Sequence, residues 1–131
     1  MKGYVADIEK LTEENQNFRQ VLYTGKNLQL VLMALKPGEN IGAEVHATHD
    51  QFFRIEEGKG EVKIDGVSHK VKDGDCIIIP AGARHDLTNT GDESLRVYTL
   101  YAPPEHIDGL VQKTKAKADA SEEEFDGVTS E

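Results

Sequence analysis

The chain has 131 residues, a length typical of one domain, and a formal net charge of −9 at pH 7. Phosphate binding needs a basic surface, so this charge argues against DNA or RNA as a partner. A single cysteine excludes an internal disulfide and favours a reducing compartment. Because the sequence has no signal-like N-terminus and no apolar run of about 20 residues, we expect a cytoplasmic protein without a membrane partner.

The first third of the chain changes from a weak helical pattern to strands. Residues 1–20 hold only a loose apolar stripe at helical spacing. Residues 18–23 and 28–35 predict two strands joined by a turn at 24–27. The second run is apolar on both faces, as in a buried helix, but the stop at Pro37 leaves too little room for a long one.

The middle of the chain reads as a series of short strands separated by turns. Residues 61–71 alternate between apolar and polar side chains around Asp65-Gly66, and Asp-Gly between such runs is a strong hairpin signal. Further strands are predicted at 52–55, 76–79 and 95–101. Short strands with turn signals at about 8–12-residue intervals predict an all-β sandwich or barrel, and not a βαβ fold.

The last part of the chain differs in composition from the rest. After about residue 112 it is rich in Lys, Ala, Glu, Asp and Ser and poor in apolar residues. We expect a helical turn or disorder there, outside the core, and interpret the acidic run at 122–124 as a solvated tail. The predicted organisation is an N-terminal arm with the first strands at 1–27, a barrel at 28–112 and a charged tail at 113–131.

A patterned stretch begins at Gly74 and continues with five residues, Pro80, one residue, Gly82, two residues, His85, three residues and Asn89. The proline and glycine shape a tight reversal after a buried strand, and His85 opens the next strand, where it can point into a barrel mouth. This stretch resembles the second conserved motif of the cupins at every position. The resemblance implies an all-β fold, the double-stranded β-helix or jelly-roll-like small barrel.

The first cupin motif has a counterpart upstream. Gly38, five residues, Glu44, one residue, His46, four residues, Gln51, six residues and Gly58 match its spacing throughout. Two residue types differ: Glu44 stands where the family usually has a histidine, and Gln51 where it usually has a glutamate. The resemblance covers about residues 28–102, and the two motifs together at this separation are a strong signal.

The resemblance implies a metal site formed by Glu44, His46, Gln51 and His85. The formal ligand charge stays at −1, as in the usual set of three imidazoles and one carboxylate. A mixed nitrogen and oxygen site suits a divalent transition metal, namely Zn, Fe, Mn, Ni or Cu. His46, His85 and Glu44 could form the two-histidine, one-carboxylate face of non-haem iron oxygenases. Gln51 either coordinates the metal or hydrogen-bonds to metal-bound water.

Strand periodicity separates the other candidates. Side chains alternate along a strand, so Phe53 and Ile55 share a face with Gln51. They are predicted to line a substrate pocket, with a place in the core as the alternative. His49 falls in the gap 47–50, which we expect to be a turn. It is predicted to line the mouth of the substrate pocket, with an exposed loop position as the alternative. The remaining interpretations are a surface His69, a buried, unreactive Cys76, and a His106 that could fold back over the site.

Two functions from different classes remain open. The first is a metal-dependent enzyme acting on a small polar molecule, for example as an oxygenase, isomerase or lyase. The second is a non-catalytic cupin that binds a sugar or metabolite, and a stable stress or storage scaffold has lower weight. The resemblance also implies a homodimer that shares an N-terminal strand, for which residues 1–23 are the candidates.

Overall fold

The structure, a computed structural model, describes residues 2–131. Its helices are α1 (Ile8–Glu14) and α2 (Lys115–Asp119). Its strands are β1 (Arg19–Thr24), β2 (Gln29–Leu35), β3 (Glu44–Val45), β4 (Asp50–Glu57), β5 (Lys59–Ile64), β6 (Val67–Lys72), β7 (Cys76–Ile79), β8 (Arg84–Asn89), β9 (Leu95–Ala102) and β10 (Val111–Gln112). Neither helix of residues 2–131 has the length and apolar character needed to cross a membrane.

The strands form two antiparallel sheets that face each other. The larger has the order β10-β1-β2-β9-β4-β7, and the smaller has the order β3-β8-β5-β6. Apolar side chains from both sheets form one buried cluster between them. Burial of a large apolar side chain contributes about 1.5–3 kcal/mol, so this shared cluster holds the layers together. The predicted all-β barrel is confirmed.

Strict alternation of side chains places the polar residues of the barrel interior. Along β4, Gln51 is 2% exposed and both Phe53 and Ile55 are 0% exposed, which confirms that the three share a face. Strand β9 alternates in the same way, with four inward side chains ending in Thr99 and Tyr101. The inner face is therefore apolar along most of its length and polar near the mouth.

The hairpin at Asp65-Gly66 is confirmed. Both residues have a positive φ, 48° and 83°, as a two-residue turn between twisted antiparallel strands requires. On the other side of β5, a Cβ added to Gly60 would lie 2.5 Å from the Thr88 carbonyl oxygen. The absence of a side chain at Gly60 thus allows β5 to pair closely with β8, the strand that carries His85.

The interpretation of Cys76 as a buried residue is wrong, because its side chain is exposed. Strand β7 forms one edge of the larger sheet. Its inward residues Ile77 and Ile79 are buried, whereas Ile78 on the outer face is 66% exposed. An apolar run was expected to be covered on both faces, but this strand is covered only on the side of the core.

The two ends of the chain lie on the outside of the barrel. Helix α1 begins after Asp7, whose carboxylate accepts a hydrogen bond from the Lys10 backbone N–H at 3.2 Å. No residue of 113–131 is buried. The solvated interpretation of 122–124 is nevertheless wrong for Glu123, which accepts a hydrogen bond from the backbone N–H of Ile107 at 3.0 Å. The tail is thus anchored across the loop that follows β9.

Candidate metal centre

Three of the four predicted ligands come together at the barrel mouth. Strand β3 pairs with β8 so that Glu44 lies directly opposite His85. His46 follows β3 immediately. One ligand atom from each of these side chains lies within 4.8 Å of the other two. The two motifs therefore meet here through the β3–β8 pairing, and they meet again where β4 pairs with β7.

Glu44 and His46 form the closest contact of this group. Oε2 of Glu44 lies 3.0 Å from Nε2 of His46. Metal–ligand bonds of about 2.1 Å at right angles separate neighbouring ligand atoms by about 3 Å, so this spacing suits two ligands of one ion. The hydrogen bond that the His46 ring donates to the Glu44 carboxylate raises the pKa of His46. Burial alone would raise the pKa of Glu44, but the hydrogen bond and charge of His46 lower it overall.

His85 has one ring nitrogen without a partner. The residue is 1% exposed, and its Nδ1–H donates to the Ala83 carbonyl oxygen at 3.4 Å. Nε2 is buried and has no hydrogen-bond partner among residues 2–131. Burial lowers the pKa of His85, which favours the neutral ring that binds metals. A backbone carbonyl that accepts from one ring nitrogen leaves the lone pair of the other free for a metal.

Gln51 reaches the same interior from the other sheet. Its side chain is 2% exposed, and its Nε2 donates to the Thr99 hydroxyl at 3.0 Å. Its Oε1 is also buried without a partner in the described part of the chain. An unpartnered buried amide oxygen costs about 1–3 kcal/mol. The orphaned His85 nitrogen, the Glu44 carboxylate and the His46 imidazole form a donor set that fits a divalent transition metal, and the buried Gln51 oxygen is a further unpartnered acceptor.

His49 lies beside this group and is not part of it. Its Nε2 is 3.0 Å from the Pro104 carbonyl oxygen and 3.3 Å from Oε2 of Glu105. The same Glu105 oxygen lies 3.6 Å from Nδ1 of His46. Glu105, which the sequence did not identify, therefore bridges the candidate ligand His46 and the rim residue His49.

The structure corrects the placement of Phe53 and Ile55. Both were predicted to line a substrate pocket, but both are 0% exposed and belong to the central apolar cluster. They share a face of β4 with Gln51 yet lie further along the strand, where the opposing sheet covers them. Neither offers accessible surface to a ligand.

A second group of titratable side chains adjoins the first. His106, which is 8% exposed, contacts Glu123 through Nδ1 and the Tyr101 hydroxyl through Nε2, the latter at 3.3 Å. The Tyr101 ring packs edge-on against His46 with centroids 5.7 Å apart. Burial raises the pKa of the Tyr101 phenol. For Glu123, burial opposes ionisation, but hydrogen bonds from His106 and from the Ile107 N–H lower the pKa overall.

Gln29 holds the loop that carries Glu105 and His106. This residue is 0% exposed, and its Oε1 accepts from the backbone N–H groups of Glu105 and His106 at 3.1 and 3.0 Å. Its Nε2 donates to the His106 carbonyl oxygen at 2.8 Å. Buried polar groups are normally satisfied, and here one amide satisfies three backbone groups. The loop is therefore a fixed part of the rim.

A polar cavity of about 200 Å³ opens beside Glu44. Its polar walls include Arg19, Glu44, Glu105, His106, Asp119 and Glu123. Of these, only Glu44 belongs to a motif. Arg19 and Val21 alternate inward on β1, so strand periodicity could have indicated an inward arginine. The contact between His106 and Glu123 depends on how the tail folds back, for which the sequence gives no signal.

Metal binding should release a proton near neutral pH. In the metal-free protein Glu44 raises the pKa of His46 above its usual 6.5, whereas a ligating ring must be neutral. We expect release of up to about one proton per ion and an affinity that weakens as pH falls through the raised pKa of His46. The stability of the metal-free protein depends on pH in the opposite direction. The ion pair between His46 and Glu44 stabilises the folded state fully below pH 6.5, and this stabilisation is lost as pH rises through the raised pKa of His46.

Titration calorimetry in two buffers with different protonation enthalpies measures this release directly. His85 should contribute little to it, because burial lowers its pKa and the ring is already neutral. An affinity that does not change with pH across the neutral range would contradict the role of His46.

Comparison with known proteins gives one family. Residues 31–101 match the family model described as a cupin domain. The uncharacterised protein YrkC of Bacillus subtilis is 44% identical over 128 residues, with 93% of this chain and 69% of that protein covered. The uncharacterised protein L612 of Acanthamoeba polyphaga mimivirus is 36% identical, with coverage of 90% and 76%. The crystal structure of BH2720 from Bacillus halodurans superposes with a TM-score of 0.90 at 43% identity, over 92% of this chain and 96% of that one.

Proposed function

We propose that this chain, which belongs to the cupin family, holds one divalent transition metal ion at its barrel mouth. The protein would act on a small polar molecule bound beside that ion. Glu44, His46 and His85 would be the protein ligands, with the amide oxygen of Gln51 as a fourth ligand or as the acceptor for a bound water. When bound, a divalent ion supplies a Lewis acid that polarises a carbonyl or hydroxyl oxygen of the ligand.

The unpartnered Nε2 of His85 carries this proposal. The group is buried and belongs to the neutral form of the ring that metals bind, and one nitrogen of this ring lies within 4.8 Å of ligand atoms of Glu44 and His46. A buried acceptor without a partner destabilises the folded protein unless something else satisfies it. The neighbours of a structural histidine would be expected to supply that partner, and here they do not.

The chain offers acid–base groups beyond the metal ligands. Glu105 can accept a proton or hydrogen bond at the rim, where it lies 3.3 Å from the His49 ring. His106 and Glu123 form a paired base on the cavity wall, in contact with the Tyr101 hydroxyl. Paired groups of this kind position a proton at a defined atom, which favours proton-transfer chemistry such as isomerisation or elimination. The second candidate is an oxygenase, because two histidines and one carboxylate match the face used by non-haem iron enzymes.

Metal analysis and turnover assays test the proposal in sequence. Protein prepared without chelators should bind about one equivalent of Zn²⁺, Mn²⁺ or Fe²⁺. The Fe²⁺ form is then assayed for oxygen uptake, and the Zn²⁺ and Mn²⁺ forms for exchange of substrate C–H protons with deuterium, over small hydroxy acids and sugars. Proton exchange without oxygen uptake supports isomerase or lyase chemistry, and the reverse supports an oxygenase. Metal binding with neither activity favours a non-catalytic binding protein, and absence of metal binding contradicts the proposal.

A further inference from the structure

Arg19 is a buried cation without an ion-pair partner. It is 7% exposed, and no carboxylate of residues 2–131 lies within the distance of a salt bridge to it. Its Nη1 donates to Oε1 of Gln112 at 2.7 Å, and its guanidinium carbon lies 5.3 Å from the centre of the Phe18 ring. Its Nε–H is buried and unpartnered.

Such an arrangement is costly unless it serves a ligand. A guanidinium stays charged at any physiological pH, and a buried charge normally has a paired counter-charge. Gln112 supplies one neutral acceptor for a group with five donors. A buried arginine with a purely structural role would be expected to pair with a carboxylate. This chain has 24 acidic residues against 15 Lys and Arg residues, so such a partner is not lacking in its composition.

Arg19 lines the cavity that also contains the candidate ligand Glu44. The carboxylates of Glu44 and Glu123, from two distant segments of the chain, line the same space. Arg19 and Gln112 are cross-strand partners in β1 and β10, so the sheet fixes their positions. A molecule in the cavity would therefore meet a preorganised fork of N–H donors on one wall and the candidate metal ligand Glu44 on another.

We propose that Arg19 is the specificity-determining residue of this site and that it binds the carboxylate of a small organic acid. The inference rests on the proposed function, since it names the substrate class for the same site. A guanidinium fork matches a carboxylate in a bidentate geometry that a neutral group cannot reproduce.

The other walls define the rest of the ligand. Glu105 is an acceptor when ionised, so it would hydrogen-bond to a hydroxyl group, and the further carboxylates of the wall would repel a second carboxylate. The cavity of about 200 Å³ is smaller than the roughly 300–1,000 Å³ of drug-sized pockets, which favours a ligand smaller than a drug molecule. The substrate class is thus a small monocarboxylate that carries hydroxyl groups.

The test compares acids with neutral molecules of the same skeleton. Lactate and propane-1,2-diol form one pair, and gluconate and sorbitol form the other. Titration calorimetry on the Zn²⁺-loaded protein should detect binding of the acids in preference to the alcohols. In the Arg19→Gln variant the affinity for the acids should fall about 10- to 100-fold, as expected for loss of hydrogen bonds to a charged group. Arg54→Gln is the matched control, because Arg54 pairs with Glu56 on β4 outside the cavity.

Measurements of Zn²⁺ binding separate the two levels of the hypothesis. Arg19→Gln should still bind one equivalent of Zn²⁺, since Arg19 is not a metal ligand. Suppose that Zn²⁺ binds. If the acids then bind equally well to wild type and Arg19→Gln, or bind to neither protein, the inference about Arg19 is wrong and the proposed metal site stands. If no Zn²⁺ binds, the proposed function fails, and the inference about Arg19 is tested by NMR on the metal-free protein. The Arg19 Nε–H resonance should then shift on addition of lactate or gluconate and not on addition of the alcohols. An unchanged resonance overturns it.

Discussion

Replacement of His85 by alanine is expected to reduce the affinity for a divalent transition metal by more than about 100-fold. Loss of an outer partner of a metal ligand typically costs 10- to 100-fold, and His85 is placed to be a ligand itself. The substitution also removes a buried imidazole whose Nε2 lacks a partner, so we expect the metal-free protein to remain folded. Metal content after dialysis and titration calorimetry with Zn²⁺ measure the effect.

The matched control is His69→Ala. His69 lies on β6 with an exposed side chain, on the strand of the smaller sheet furthest from β3. Its replacement should leave metal affinity unchanged, and His49→Ala should have a smaller effect than His85→Ala because His49 contacts the rim carboxylate Glu105. Equal affinities for His85→Ala and wild type would remove the basis for the metal centre.

The Phe53→Ala substitution is expected to lower the free energy of unfolding by about 3–5 kcal/mol. Its ring is fully buried in the cluster between the two sheets, and its removal leaves a cavity lined by side chains that cannot collapse onto it. For a chain of this size the melting temperature should fall by about 10 °C or more. Urea or thermal unfolding followed by circular dichroism measures both quantities.

Phe52→Ala provides the control within the same strand. Phe52 points to the outer face of the larger sheet, where its ring lies 6.3 Å from that of Tyr98, and it is only partly buried. We expect this substitution to cost about 1 kcal/mol. If Phe53 were a pocket wall, its replacement would instead weaken ligand binding with little loss of stability, so comparable unfolding energies for the two variants would contradict the core assignment.

The parts of this fold that depend on local chemistry were predictable. Asp65-Gly66 specifies a hairpin because its backbone conformation suits these two residues, and the inward face of β4 follows from alternation along the strand. The motif spacing was sufficient to bring Glu44, His46 and His85 together, since the β3–β8 and β4–β7 pairings join the two motifs.

The parts that depend on long-range packing were not predictable. Glu105 reaches His46 only because Gln29, on a distant strand, holds its loop. The pairing of His106 with Glu123 arises from the path of the tail, and no local pattern in an acidic stretch distinguishes the one residue that packs from its neighbours. Likewise, Cys76 is exposed because β7 ends a sheet, and strand order is a property of the whole fold.

The division of the candidate ligands between the sheets has a mechanical consequence. Glu44 and His85 belong to the smaller sheet, and Gln51 belongs to the larger. An ion held without Gln51 would brace one edge of the smaller sheet, whereas coordination by Gln51 would cross-link the two layers. Clamps between segments that are distant in the chain restrict the unfolded ensemble most. The amide that stands in place of the family's usual carboxylate therefore governs whether metal loading protects only the mouth or slows the opening of the whole barrel.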